Sequence, residues 1–360
     1  MNKIDKKNDV GYLLFKKLYL KKIFIISGKN SFFKSGAKKF FSEKINKNNS
    51  IFYFKKSKNP EIKELIRISK KISKFKPDII LGIGGGAVID YVKLASTRYR
   101  IGYKKKIPIV KIEKKIAETI IIPTTSGSGA ESTKFSVLYI NKKKFSIEDE
   151  ILKPDSFYFI SSFNLKNKKY QRACSGLDAF CQSVESIFSR KSTKLSLLYA
   201  EKSIRLFQKN FKNFMTKPSS NNSLNMLISA NYSGRAINIA KTNVPHALSY
   251  YLSASLKIGH GHSVYINLQQ FLAFLYVKGY SSNKKVKKKL NLLIKYMKCK
   301  NIDELMKRLV EIRKISKLKF NFQLDKEVEK IAKKTDPKRL GNCPIEITTV
   351  DLKNILLKKF

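Results

Sequence analysis

Short apolar runs and helical patterns alternate along roughly the first 160 positions of this chain of 360 residues. KIFIIS (22–27), IFYF (51–54), DIILGIG (78–84) and ETIIIP (118–123) are nearly continuous apolar stretches, the pattern of parallel strands buried on both faces. Helical spacing runs through 60–75 and 87–97 between them, and the alternation predicts an α/β layered domain with a parallel sheet. KFSVLYI (134–140) and KKFSI (143–147) flank Asn141 and predict a small hairpin. From about residue 165 the rhythm is helical throughout. LDAFCQSVESIF, KLSLLYAEKSIRLFQKNF and ELMKRLVEIRKI carry apolar residues at three and four spacing. The chain is longer than one compact core usually grows, so two domains are expected: α/β over 1–162, and all-α over 163–360. No internal repeat is present in the sequence.

Composition narrows the class more than it changes the fold. A hydrophobic fraction of 42% fits a folded protein. The first 26 residues are interrupted by lysines and lack a signal-peptide core, and no apolar run reaches the length of a membrane span. Cys174, Cys181, Cys299 and Cys343 show neither CxxC pairing nor metal-finger spacing. They read as reduced thiols, and a cytoplasmic location with no membrane partner is expected. The formal charge of +49 invites a nucleic-acid reading. However, the lysines spread along the whole chain, arginine is scarce and no nucleic-acid motif accompanies them, so no specific nucleic-acid partner is expected. The charge attracts anions generally through the field of the surface.

Two glycine-rich turns carry candidate chemistry. ILGIGGGAVIDYVKLA (80–95) is a strand, then Gly84, Gly85 and Gly86, then a helix. Such a turn lets backbone amides approach a phosphate at a helix N-terminus; alone, it is equally a tight turn with no ligand. TIIIPTTSGSGAEST (119–133) repeats the arrangement, with hydroxyls at Thr124, Thr125, Ser126 and Ser128 and open backbone at Gly127 and Gly129. Two such loops at the carboxyl ends of parallel strands favour one phosphate-bearing cofactor in a shared crevice.

All three histidines of the chain fall between positions 246 and 262. His246 opens a predicted helix and His260 lies just past its end, while Asp178 marks a predicted helix start, with Gln182 four residues on and on the same face. Asp, His and His on separate elements can converge on one divalent ion, with Gln182 as a further oxygen donor. By itself Asp178 is also an ordinary helix cap, and His262 is read as facing solvent.

Taken together, GGGAVIDYVK, PTTSGSGAEST, GLDAF, the spacing from His246 to His260 and the tail RLGNCPIEITTVDLKNIL (339–356) resemble the iron-containing alcohol dehydrogenases, relatives of the dehydroquinate synthases. The resemblance covers nearly the whole chain. It implies an N-terminal Rossmann-like α/β domain and an all-α C-terminal domain, with a metal and a nicotinamide meeting between them. The metal would be Fe(II) or Zn(II) on Asp178, Gln182, His246 and His260. The nicotinamide contacts would come from Gly28, Lys29, Gly84, Gly85, Gly86, Asp90, Thr124, Thr125 and Ser128. A homodimer is what the family commonly forms.

Departures from the family pattern shape the expectation. Gln182 stands where the family usually has a histidine ligand, and an amide oxygen is a weaker donor to a transition metal. Tyr250 replaces a histidine linked to proton relay and is the catalytic candidate. Gly28 with Lys29 replaces an acidic residue and favours NADPH over NADH. Several segments resemble a short branch related to phosphonoacetaldehyde reductases, which implies a small anionic aldehyde or alcohol as substrate and Lys144, Arg235 and Lys241 as cationic contacts. The expected reaction is metal-assisted reduction of an aldehyde by NADPH or NADH. The rival readings are a dehydroquinate synthase-like lyase acting on a sugar phosphate, and a degenerate nucleotide-binding member without turnover.

Overall fold

The computed structural model describes residues 9–42, 44–104, 107–319, 327–335 and 337–358. The chain divides into two compact units: 1–125 with 129–167, and 126–128 with 168–360.

In the first unit, helix α1 (Asp9–Leu18) precedes strand β1 (Ile23–Gly28), α2 (Lys29–Lys34), α3 (Ala37–Phe41), β2 (Ser50–Lys55), α4 (Ile62–Phe75), β3 (Ile79–Gly84) and α5 (Gly86–Ala95). There follow β4 (Thr97–Lys104), β5 (Ile107–Lys115), β6 (Glu118–Pro123), β7 (Phe135–Ile140), β8 (Lys143–Glu148), β9 (Ser156–Phe157) and α6 (Ser161–Leu165). Five strands form a parallel sheet in the order β2-β1-β3-β6-β9. All four apolar runs of the sequence are strands of this sheet, β1, β3 and β6 central and β2 at its edge, and β3 is fully buried because helices cover both faces. One face holds Ile23, Ile25, Leu81, Ile83, Ile120 and Ile122 against Phe32, Phe41 and Phe163. On the other, α5 lies so close to β3 that a Cβ on Gly82 would come within 2.7 Å of Val92.

The hairpin expected around Asn141 is β7–β8. Asn141 and Lys142 both take positive φ, 50° and 62°, the twist that two-residue hairpin turns require. A second hairpin, β4–β5, was not expected: the predicted helix over 87–97 ends at Ala95, and Thr97 already belongs to β4. β9 adds a short fifth strand beyond those expected.

The second unit, as described, is helical: α7 (Lys169–Phe188), α8 (Lys194–Thr216), α9 (Ser220–Ala240), α10 (Val244–Leu256), α11 (His260–Gly279), α12 (Lys284–Met297), α13 (Ile302–Ser316), α14 (Val328–Lys334), α15 (Pro337–Leu340) and α16 (Thr349–Leu357). Helix α7 is its axis. Every residue from Ala173 to Phe188 is buried, so the helix lacks a solvent face and its polar residues must find partners inside. No described helix is long and apolar enough to cross a membrane.

Lysine does unusual work at helix ends. Lys76, Lys257, Lys298, Lys317 and Lys358 are C-caps in the left-handed conformation, a position where glycine avoids the Cβ clash. Lys298→Gly and Lys317→Gly should therefore each stabilise the protein by about 1 kcal/mol. Urea unfolding midpoints would measure it; unchanged or lowered midpoints would mean that the lysine stems recover the cost through packing.

Candidate metal centre and cofactor loops

Asp178 is not at a helix start. It is the tenth residue of α7, because the helix runs back to Lys169 through Gly176. A Cβ at Gly176 would come within 2.8 Å of the Phe211 ring and 3.1 Å of Met226, so glycine here serves helix packing and not a turn. Asp178 is thus a buried carboxylate in mid-helix, and capping does not explain it.

Two histidines meet it. His246 Nε2 lies 3.3 Å and His260 Nε2 3.8 Å from Asp178 Oδ1. Donor atoms of these three residues all fall within 4.8 Å of one another. The imidazole rings of His246 and His260 cross at 75° with centroids 5.2 Å apart. His260 is the first residue of α11, not the end of α10. Its approach depends on the next residue, since a Cβ on Gly261 would sit 1.9 Å from the Cys174 carbonyl oxygen and 2.9 Å from the Asp178 backbone. Glycine lets the backbones of α11 and α7 touch, and that contact carries His260 to Asp178.

Glu185 is the residue that sequence reasoning missed. It lies two turns after Asp178 on α7 and is completely buried. One carboxylate oxygen accepts the backbone N–H groups of Asn243 (3.1 Å) and His246 (3.0 Å). The other is hydrogen-bonded to His246 Nδ1. Asn243, the N-cap of α10, makes no side-chain cap, so Glu185 satisfies that helix start from a neighbouring helix. With Nδ1–H donating to Glu185, Nε2 is the ring nitrogen that faces Asp178. Burial alone would lower the His246 pKa, but the charge of Glu185 and the bonds to Asp178 and Glu185 outweigh it and push it up to about 10. Two imidazole nitrogens and one carboxylate oxygen, with a carboxylate behind one imidazole, form a donor set that suits Fe(II) or Zn(II) and leaves coordination positions for a substrate. The His260 side chain is 41% exposed against 5% for His246, which makes it the accessible edge of the cluster.

The other predicted positions fall out differently. Gln182 is buried one turn after Asp178, and its Oε1 accepts the Ser233 hydroxyl at 2.9 Å, so its oxygen is engaged by α9. The Tyr250 ring lies parallel to His260, at 4° and 5.6 Å between centroids. On α9 the face carrying Ser233 meets Gln182, while Arg235, about 200° further round, bonds Asn231 and has its guanidinium over Tyr199 and Tyr232. Lys241 is the C-cap of α9, with φ of 62°. Lys144 lies on β8 in the first unit, where its charge acts on Asp90. His262 does not face solvent: it is 2% exposed, its Nε2 is 2.5 Å from the Lys319 carbonyl oxygen, and burial holds its pKa below the usual value. Two positions after His260 on a helix, it points into the bundle.

In the first unit the glycine loops adjoin. β1, β3 and β6 are parallel neighbours, and the chain steps from β1 out to β2 before returning to β3 on the other side. The carboxyl ends of β1 and β3 therefore flank a topological switch point, the usual place for a ligand in such sheets. Gly28 ends β1, and Lys29 beside it is exposed. Gly84 ends β3, and Gly85 caps α5 without a side-chain bond. The Thr124 N–H donates to the Gly84 carbonyl at 3.1 Å, and a Cβ on Gly85 would lie 3.0 Å from Thr125 Oγ1. Gly86 opens the helix, so the amides of the glycine loop and the hydroxyl-bearing second loop adjoin at one set of strand ends. Ser128, by contrast, groups with the helical unit, where Gly127 approaches Ser175 of α7 so closely that a Cβ would come within 3.1 Å. Asp90 is buried on α5. Burial pushes its pKa up to about 6, opposed by Lys93, the Val137 N–H and Lys144, and these contacts account for its carboxylate within the unit. Lys93 in turn donates to the Thr133 and Phe135 carbonyls and the Thr133 hydroxyl, fixing the segment that follows the second loop.

A switch-point sheet with glycine loops and a buried two-histidine, one-carboxylate cluster on a helical unit define a nucleotide- and metal-binding class of protein. Family comparison names it. Residues 8–158 match the iron-containing alcohol dehydrogenase model and 172–359 the C-terminal model of the same family; the chain belongs to the iron-containing alcohol dehydrogenases. Among its relatives are phosphonoacetaldehyde reductase of Streptomyces viridochromogenes, 26% identical over 58% of this chain and 55% of that protein, and 4-hydroxybutyrate dehydrogenase of Clostridium kluyveri, 27% identical over 72% and 71%. The match thus spans about half the length of the Streptomyces relative. Among solved structures, sulfoacetaldehyde reductase from Bifidobacterium kashiwanohense in complex with NAD+ superposes with a TM-score of 0.85 at 19% identity, covering 98% of this chain and 95% of that one. The iron-containing alcohol dehydrogenase of Thermococcus thioreducens gives 0.83 at 18% identity, over 98% and 96%. Both likenesses establish the fold.

Glu185→Gln should weaken binding of Zn(II) about 10- to 100-fold. A glutamine has one oxygen for three donors. Either its NH2 meets His246 Nδ1 and forces the tautomer that blocks Nε2, or it meets two backbone N–H groups. Competition against a chromophoric chelator would read the affinity, and a value equal to the parent protein's would refute the role assigned to Glu185. Gly261→Ala should destabilise the fold by about 3 kcal/mol or more, the range of severe overpacking, readable as a lowered Tm.

Proposed function

We propose that this protein is a metal-dependent, NAD(P)H-linked aldehyde reductase acting on a small aldehyde that carries an anionic group. The observation that supports it most is the convergence of Asp178, His246 and His260 within 4.8 Å, with His260 at the exposed edge. When bound, a divalent ion and a reduced nicotinamide would supply carbonyl polarisation and the hydride that, with a proton, turn an aldehyde into a primary alcohol. Within the protein, Asp178, His246 and His260 hold the ion and Glu185 keeps His246 in the ligating tautomer. Ser249 Oγ, 3.4 Å from His260 Nδ1, orients the second imidazole. Gln182, tied to Ser233, flanks the ligands as a neutral oxygen donor. The amides of Gly84, Gly85 and Gly86 and the hydroxyls of Thr124, Thr125 and Ser128 receive the dinucleotide phosphates. Gly28 and Lys29 at the end of β1 favour the 2′-phosphate of NADPH over NADH. Tyr250, stacked on His260, passes the proton to the product oxygen.

The substrate class draws support from two relatives, named for phosphonoacetaldehyde and for 4-hydroxybutyrate, each a short chain ending in an anion.

The test is oxidation of NADPH and NADH by the purified protein with Fe(II) or Zn(II), against phosphonoacetaldehyde, succinic semialdehyde, lactaldehyde and simple aliphatic aldehydes. Turnover that a chelator abolishes and metal restores is expected. His260→Ala should lower kcat by about 100-fold or more, and Tyr250→Phe by about 10- to 100-fold with little change in metal content, the size of a lost proton-transfer group. Undiminished activity in His260→Ala would sink the metal assignment. Silence across the panel with metal and nucleotide bound would turn the reading to a lyase or an inactive nucleotide binder.

A further inference from the structure

Arg339 comes to the metal cluster from the far end of the chain. Its guanidinium lies over the Tyr250 ring, 4.9 Å from the centroid, and Tyr250 is the ring stacked parallel to His260. Nη1 donates to Thr242 Oγ1 at 2.8 Å. The two separations, 4.9 and 5.6 Å, bound the distance from the Arg339 guanidinium to the His260 imidazole at about 10.5 Å. Thr242 closes the turn between α9 and α10, four residues before His246, and its carbonyl accepts the Asn342 amide at 3.1 Å. That amide also donates to the Ala240 carbonyl at 2.9 Å, while Ser189 at the end of α7 binds Asn342 Oδ1 at 2.9 Å. The short helix α15 that bears Arg339 is therefore anchored through Asn342 to the ends of α7, which carries Asp178, and α9, and to the turn that leads into α10 and His246.

We propose that Arg339 is the residue that recognises the anionic end of the substrate. This inference rests on the aldehyde-reductase reading and adds to it a specificity-determining residue and a substrate length. A guanidinium has five donors in a rigid fork. Here the contact with Thr242 uses one and the guanidinium lies over an aromatic ring, while the residue stays half-exposed, which leaves an edge of the fork for a ligand. Such an edge matches a carboxylate, sulfonate or phosphonate through two parallel charge-assisted bonds. The reacting carbonyl belongs at the cluster whose exposed edge is His260. A span of at most about 10.5 Å from that imidazole to the guanidinium admits short chains, with one to about four carbons between aldehyde and anion. Long aliphatic aldehydes have no counterpart for the cation. Arg235, the other arginine weighed for this role, has its guanidinium over Tyr199 and Tyr232 and its Nε bonded to Asn231.

The experiment compares kcat/KM of the metal-loaded parent protein with that of Arg339→Ala and Arg339→Lys. The substrates are sulfoacetaldehyde, phosphonoacetaldehyde and succinic semialdehyde, set against acetaldehyde, propanal and butanal. The anionic-to-neutral ratio of kcat/KM is expected to fall about 30- to 100-fold in Arg339→Ala, mainly through KM, the effect of losing hydrogen bonds to a charged group. Arg339→Lys, which keeps the charge but not the fork, should recover only part of it. An equal loss on both substrate sets would show a structural stack and overturn the proposal, as would no loss on the anionic set. A calorimetric arm separates this from failure of the reductase reading, using phosphonoacetate and sulfoacetate on the Zn(II)-loaded proteins. If no aldehyde is turned over but these anions bind the parent protein and not Arg339→Ala, the anion site stands and the reaction assignment falls. If parent and variant bind them alike, or neither binds them, the anion site falls.

Discussion

His246 bridges two carboxylates of one helix. Its Nε2 faces Asp178 and its Nδ1 faces Glu185, two turns further along α7. Both acids are buried in a helix that has no solvent face over that stretch. Isolated carboxylates there would be strongly unfavourable, so each must be paired or coordinate a cation. The bridge meets this need for Glu185 with three donors from the first turn of α10. For Asp178 it leaves an oxygen shared by two imidazoles, the arrangement a divalent ion would complete. The position of α10 against α7 follows from this bridge, and the position of α11 from the backbone contact at Gly261. Stability and ligand geometry are here one set of interactions, and removing Glu185 disturbs both.

The parts of this design legible in the sequence were those with local signatures. Apolar runs such as DIILGIG gave the central strands because a doubly covered sheet tolerates nothing else. The clustering of histidines pointed to Asp178, His246 and His260 because imidazole is so rare in this chain. The β4–β5 hairpin was less legible. Arg98, Arg100, Lys111 and Lys114 alternate with its apolar residues, and among its described side chains only Thr97 and Ile112 are well buried, so its period-two pattern is diluted by charge. Asp178 read as a helix start, yet α7 runs back through Gly176, a glycine that answers to Phe211 and Met226 across the bundle. His262 read as exposed for want of the start of α11. Once the helix begins at His260, a residue two positions later must turn inward.

Glu185 and Arg339 show two different kinds of silence. Glu185 had a usable signal: an acid seven residues after Asp178, inside a segment with no other charged residue, shares its face with the first acid. Arg339 had none. Its contact with Tyr250 spans 89 positions and is set by the tail folding back through Asn342 onto the ends of α7 and α9. No spacing rule reaches that far, and only the assembled helices bring the two together.

Lysine is the default cation of this chain, used even where helix ends call for glycine, and arginine is correspondingly sparse. The arginines that do occur are often placed where a flat, forked group is needed. Arg172 lies over Phe214, Arg235 over Tyr199 and Tyr232, Arg190 bonds the Cys343 carbonyl through Nε, and Arg339 lies over Tyr250. A lysine at 339 would supply the same charge to a field already carrying +49, and so would add little to general anion attraction. What it would lack is a plane to rest on the tyrosine and an edge to orient an incoming anion. In a protein so uniformly cationic, discrimination among anions must come from geometry and not from charge, and beside His260 that geometry belongs to Arg339.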